Sequence, residues 1–153
     1  MTIDSINSVN KIIIIDSIVI KETKFSVENL NNYLKSKNIN DPSYIISQLS
    51  LESGEFKSNL FIKYNNICGM KYSKRNSIGK TKGGYAIYKH WTNSVDVFLL
   101  WLKNHSLNSN DSKYIYKLKS KHYNNSNGYV NLILKRHKYV IKKYNNIFNK
   151  VDN

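Results

Sequence analysis

Glu52 is the side chain of this sequence best placed for acid–base chemistry. Asp41 offers an N-cap and Pro42 a first helical position whose missing N–H costs nothing. Tyr44, Ile45, Gln48, Leu49 and Glu52 then recur on one side of the predicted helix, and Ser53-Gly54 ends it. The acid therefore falls at the C-terminal end of a largely buried helix, half in the core and half at a surface. Desolvation and the negative end of the helix both push its pKa up, which suits a proton donor at neutral pH. The plain alternative is a solvated helix-end carboxylate.

Other chemistries have less to work with. His90, His105, His122 and His137 are not spaced i, i+4 on one helix and have no carboxylate at ligand spacing, so no metal is expected. Cys68 follows Ile67 and precedes Gly69-Met70, the setting of a packing residue. A single cysteine excludes an internal disulfide framework and a Cys-based zinc site. There is no glycine loop to cradle a phosphate, and no cofactor is expected.

The elements that must position Glu52 are mostly helical. The chain has 153 residues, 41% of them hydrophobic and 12% aromatic, enough for one folded domain with a real core. Ser26 caps a helix carrying Val27, Leu30, Tyr33 and Leu34 at helical spacing. From Lys71 to Tyr88 the helical period disappears, and Gly83-Gly84 leads into an alternating Tyr85–Tyr88, read as a small β-hairpin or irregular lobe. Val95, Phe98, Leu99 and Leu102 resume the helical pattern, with Trp91 and Trp101 nearby. Asp111 is expected to cap a helix with Tyr114, Ile115 and Leu118 inside, and 128–148 reads as a basic amphipathic helix or pair. Ahead of these, Lys11–Ile20 is apolar and β-branched, interrupted by Asp16. It lacks the flank of a secretory signal and is far short of the roughly 20 residues of a membrane span. The expected division is an extended arm or strand over 1–24 and one domain over 25–153.

Three ordered motifs surround the candidate acid. They are Gln48-Leu49-Ser50-Leu51-Glu52-Ser53-Gly54, then Asn65-Asn66-Ile67-Cys68-Gly69-Met70-Lys71, then Tyr85-Ala86-Ile87-Tyr88 running into Trp91-Thr92-Asn93-Ser94-Val95. In order and spacing this set resembles glycoside hydrolase family 73, the bacterial and phage β-N-acetylglucosaminidases that cut peptidoglycan. The resemblance covers about residues 25–135. It implies a mainly α, lysozyme-like α+β fold in which a small β-hairpin lobe flanks a substrate cleft. Glu52 matches the family's catalytic acid and Tyr88 its cleft tyrosine, with Tyr85 at the aromatic position before it. Asn65 and Asn66 match a polar pair lining the cleft floor, and Gln48 and Gly69 complete the expected substrate-binding set. Each has a plainer use: core packing for Tyr88, and a turn or helix cap for the Asn pair.

One part of the pattern is missing. Glycosidases usually employ two carboxylates, about 5–5.5 Å apart for retention or about 6.5–9.5 Å apart for inversion. After Glu55 the next acidic residue is Asp96. Two mechanisms avoid the gap. In one, Glu52 protonates the glycosidic oxygen while the substrate's N-acetyl carbonyl attacks the anomeric carbon, with Tyr88 steadying the positive charge. In the other, a water held by Tyr88 and Asn66 attacks directly.

The formal net charge is +14, and between Lys57 and Lys89 stand seven lysines and one arginine with no acidic residue. That places the excess around the expected cleft and points to an anionic cell-wall surface and peptidoglycan glycan strands as partners. The abundant Asn, Ile, Lys and Tyr also have AT-rich codons, so part of the charge is expected from genome composition. No specific nucleic-acid module is present, although charge and twelve tyrosines keep a nucleic-acid binder as a third reading. The nearer alternatives are a catalytically idle wall-binding or virion structural protein, and a muramidase or lytic transglycosylase. The expected setting is a phage or low-GC bacterium. Without a signal peptide, release from the host cytoplasm to the wall or carriage on the virion is expected.

Overall fold

Ser26 accepts the Asn29 amide on its hydroxyl at 3.0 Å and opens α1 (Val27–Ser36), which sends Leu30 and Leu34 fully into the core. The computed structural model describes residues 23–118 and 128–150, so most of the expected N-terminal arm, up to residue 22, lies outside the described residues.

The next helix, α2 (Ser43–Glu52), starts one residue later than the sequence predicts. Pro42 stands at its cap with φ −70° and ψ −10°, already helical, and Asp41 Oδ1 accepts both the Ser43 amide (3.0 Å) and the Ser43 hydroxyl (2.6 Å). Aspartate thus does the capping expected of it, and the one-residue shift reflects a proline whose fixed φ fits either side of a helix boundary. The helix is also buried on more than the expected side: Ile46, Ser47 and Ser50 join Ile45, Gln48 and Leu49 inside. Ser47 tolerates this because its hydroxyl donates to the Ser43 carbonyl at 2.6 Å.

Ser53 caps the end of α2 and Gly54 follows at φ +55°, the left-handed residue that stops a helix. Glu55 and Phe56 also take positive φ, 57° and 64°, which turns the chain sharply into α3 (Asn59–Tyr64). Phe56 is held there by its neighbours. Its ring lies 5.0 Å from that of Phe25, which in turn meets Phe61 at 4.8 Å and Trp91 at 5.5 Å.

Residues 65–90 form the small lobe. Strands β1 (Gly79–Lys80) and β2 (Ala86–Ile87) pair antiparallel, Gly79 opposite Ile87 and Lys80 opposite Ala86, and Lys71 bridges Tyr85 beside them. Two residues per strand cannot hold a lobe by ladder bonds alone. The chain then returns in α4 (Trp91–Asn104), α5 (Tyr114–Lys117), α6 (Tyr129–Lys143) and α7 (Asn145–Phe148). Helix α6 docks on α2, with Ser43 meeting His137 at one end and Gln48 meeting Tyr129 at the other. The result is the mainly helical, lysozyme-like α+β arrangement with a small two-stranded sheet that the motifs imply. Among the described residues, no helix is long and apolar enough to cross a membrane.

Candidate active site

A cleft of about 560 Å³ lies between the helical body and the β-lobe, a volume typical of small-ligand sites. Glu52 enters it from the end of α2. Opposite stand Cys68, Gly69, Met70 and Lys71, with Ser73, Asn76 and Tyr85 from the lobe. The remaining wall is a stripe of α4: Val97, Leu100, Trp101 and Asn104, spaced i, i+3, i+4, i+7. This second face of α4 was not legible in the pattern of Val95, Phe98 and Leu102, which packs the opposite side into the core. Its one signal in the sequence is Trp101 and Leu100 falling off that buried stripe.

Glu52 is half-buried, and burial among these walls raises its carboxyl pKa; a hydrogen bond from Tyr129 opposes the rise. The Tyr129 hydroxyl donates to Glu52 Oε1. Behind it, Gln48 Nε2 donates to the Tyr129 oxygen at 3.2 Å, and the Tyr114 hydroxyl donates to Gln48 Oε1 at 2.8 Å. Burial pushes both tyrosines well above the ordinary phenol range, so each stays a neutral donor. Neither Tyr129 nor Tyr114 carries any motif signal, because their partners lie 77 and 66 residues away in the chain.

Of the residues selected from sequence, Glu52, Gly69 and Tyr85 come together around the cleft. Gly69 has φ +67°, and a β-carbon there would lie 4.0 Å from Glu52 Oε2. The backbone at position 69 therefore favours glycine, and the residue borders the acid directly. Tyr85 offers its ring to Lys71, whose Nζ stands 3.6 Å from the ring centroid.

The others do not line this cleft. Gln48 is fully buried behind the acid. Asn65 takes the left-handed conformation at the end of α3 (φ +55°), and its amide donates to the Tyr88 and Lys89 carbonyls at 3.1 and 3.0 Å. Asn66 is 1% exposed; its Nδ2 donates to the Met70 and Ala86 carbonyls, both at 2.9 Å, and its Oδ1 accepts the Met70 amide at 3.1 Å. The expected cleft-floor pair is thus a pair of backbone staples that close the small lobe. Buried backbone groups in a lobe with four strand residues need such partners.

Tyr88 is buried at 3% exposure and borders an adjoining cavity of about 460 Å³ together with Asn93 and Asp96. The two cavities share Asn76 and Val97. Burial raises the Tyr88 phenol well above its ordinary range, so it too is neutral. Cys68 is buried, its thiol pushed up to about 12 by desolvation, consistent with packing.

Glu52 is the one acidic residue lining the cleft among the described residues. Glu55 turns away to Arg136 at 2.8 Å and Lys143 at 3.6 Å, and these cations hold its carboxyl below the usual range. Asp96 accepts the Tyr33 hydroxyl at 2.7 Å and pairs with Lys37 at 3.2 Å. No group of three or more potential metal ligands occurs among the described residues.

The family model described as "Glucosaminidase: Mannosyl-glycoprotein endo-beta-N-acetylglucosaminidase" matches residues 27–146. No curated protein and no solved structure matches the chain.

Proposed function

The chain belongs to the glucosaminidase family, glycoside hydrolase family 73, and from that premise we propose that it cuts peptidoglycan after N-acetylglucosamine with Glu52 as general acid. The family supports an endo-β-N-acetylglucosaminidase acting on a glycan. The observation that carries the residue assignment is a half-buried carboxyl facing a cleft that holds no other acid among the described residues. Burial raises its pKa, the direction that suits a proton donor.

The step is one of proton donation and bond exchange. Glu52 gives its proton to the glycosidic oxygen, and the C–O bond to the anomeric carbon breaks. The leaving sugar departs with a new hydroxyl. The N-acetyl carbonyl oxygen of the −1 N-acetylglucosamine bonds to the anomeric carbon from the other face. Water then opens this intermediate and returns a proton to the Glu52 carboxylate. Substrate participation of this kind needs no second carboxylate from the protein.

The geometry weighs against the water-first mechanism. Both Asn66 amide hydrogens are committed to backbone carbonyls and its oxygen to the Met70 amide, so it has no donor left for a nucleophilic water. Tyr88 enters the reading as a wall of the adjoining cavity, while Tyr85 and Trp101 supply the aromatic surface at the acid itself. The exposed lysines of the small lobe add a positive field along the cleft, suited to an anionic wall polymer.

Digestion of purified peptidoglycan, with Glu52→Gln beside the wild type, tests the assignment. The expected result is fragments with N-acetylglucosamine at the new reducing end, formed with retention, and none from the variant. N-acetylmuramic acid or its anhydro form at that end would make the enzyme a muramidase or transglycosylase. Inverted product would rule out N-acetyl participation. A folded wild type that binds but never cuts would make the chain a wall-binding protein.

A further inference from the structure

The two oxygens of the Glu52 carboxyl are not equivalent. Oε1 receives the Tyr129 hydroxyl, while Oε2 faces Gly69 at the cleft. What fills Oε1 is dictated from behind. Tyr114 is 1% exposed and its hydroxyl donates to Gln48 Oε1. That fixes the Gln48 amide with Nε2 toward Tyr129, where it donates to the phenol oxygen. The single Tyr129 hydrogen then goes forward to Glu52. Turning the Gln48 amide over would point Nε2 at Tyr114 and strip the buried Tyr114 hydroxyl of its acceptor. With the amide set this way, the Tyr114 and Tyr129 hydroxyls each find an acceptor, and the run of hydrogen bonds ends on Oε1.

We propose that Tyr129, seated by Gln48 and Tyr114, is a positioning residue that occupies Glu52 Oε1 and so directs the acid proton to Oε2, the oxygen turned toward the cleft. This rests on the reading of Glu52 as the acid. A proton on Oε1 would meet a hydrogen already donated there; a proton on Oε2 meets open cleft. The same bond also supports the carboxylate left after proton transfer, since hydrogen bonds to ionised groups are the stronger ones.

Tyr129→Phe keeps the ring that packs between α6 and α2 and removes only the hydroxyl. On a soluble oligosaccharide containing β-1,4-linked N-acetylglucosamine, kcat is expected to fall about tenfold with KM within about twofold, from lost orientation. The basic limb of the kcat–pH profile is expected to move up by about one unit, because the carboxylate has lost a donor. Tyr114→Phe should move the limb the same way by less. A merely structural tyrosine would lower the plateau or the melting temperature and leave the limb in place. Wild-type plateau and limb in a folded Tyr129→Phe overturn the proposal; if that variant does not fold, an unmoved limb in Tyr114→Phe does the same. Glu52→Gln is assayed alongside. An active Glu52→Gln overturns the acid reading and the positioning role with it, whereas an inactive one beside an unchanged Tyr129→Phe overturns only the positioning role.

Discussion

The two walls of the cleft are built on different terms. On the helical side, Ile45, Ile46, Ser47, Gln48 and Leu49 of α2 are all without exposure, and the acid at the end of that run is held by side chains from α5 and α6. On the other side, residues 71–76 are all exposed, each strand has two residues, and Asn65 and Asn66 stitch the loops together. The helical wall is redundant, with packing and hydrogen bonds both fixing Glu52. The small lobe buries few side chains and leans on a short backbone ladder together with the Asn65 and Asn66 amides. A wall held this way is expected to open at lower free energy than the core, while the Glu52 carboxyl keeps its place.

The sharpest break in that contrast is Glu52→Gln. It should cost activity at least about a hundredfold, the usual worth of a general acid. No loss of fold is expected, because the carbonyl oxygen of the introduced amide can still accept the Tyr129 hydrogen. Asn66→Ala should do the reverse. Losing these hydrogen bonds, with the Met70 amide and the Ala86 carbonyl deprived of their Asn66 partner, is expected to cost about 3 kcal/mol in urea unfolding, with activity falling as the lobe loosens. If Asn66→Ala unfolds at the wild-type midpoint, the lobe has other support and the contrast fails.

Gly69→Ala falls between the two walls. The left-handed backbone at φ +67° should cost about 1 kcal/mol, and the added methyl at 4.0 Å narrows the space before Glu52 Oε2. Activity is expected to drop more than that stability loss explains, with KM rising on a defined oligosaccharide. An unchanged KM would mean that substrate does not approach along Gly69.

The smallest expected effect concerns pH. Burial raises the folded-state pKa of Glu52 above its unfolded value, so between those values the folded state binds more protons and stability falls as pH rises. Glu55 has the opposite sign: its pairing with Arg136 and Lys143 is present above the unfolded value and is lost as pH falls through the lowered folded one. Glu52→Gln should therefore melt slightly above wild type at pH 8, and the difference should vanish below about pH 4, where the carboxyl is protonated in both states. A variant that melts lower at pH 8 would mean that the buried carboxylate stabilises the fold.

Much of the helical wall was legible. Ser26 and Asp41 announced their helices through local capping, and Gly54 announced an end, because each acts on backbone groups within a few residues. Glu52 was legible for the same reason: its burial follows from its place in the apolar period of one helix. Asn65 and Asn66 were seen, but their use was not. An Asn pair before a loop reads equally as ligand or staple until the Tyr88, Met70 and Ala86 backbone lies beside it.

By itself, then, the sequence determined most of the helices, the small lobe and the family, and it singled out Glu52 as the candidate acid, all on patterns a few residues long or on motifs in fixed order. Tertiary structure alone decided what the acid touches. Tyr129 reaches Glu52 from 77 residues away, and Val97, Trp101 and Asn104 face it only because α4 packs its other side into the core. Side-chain hydrogen bonds are short and directional, so they appear only once helices are docked, and no local periodicity encodes that docking.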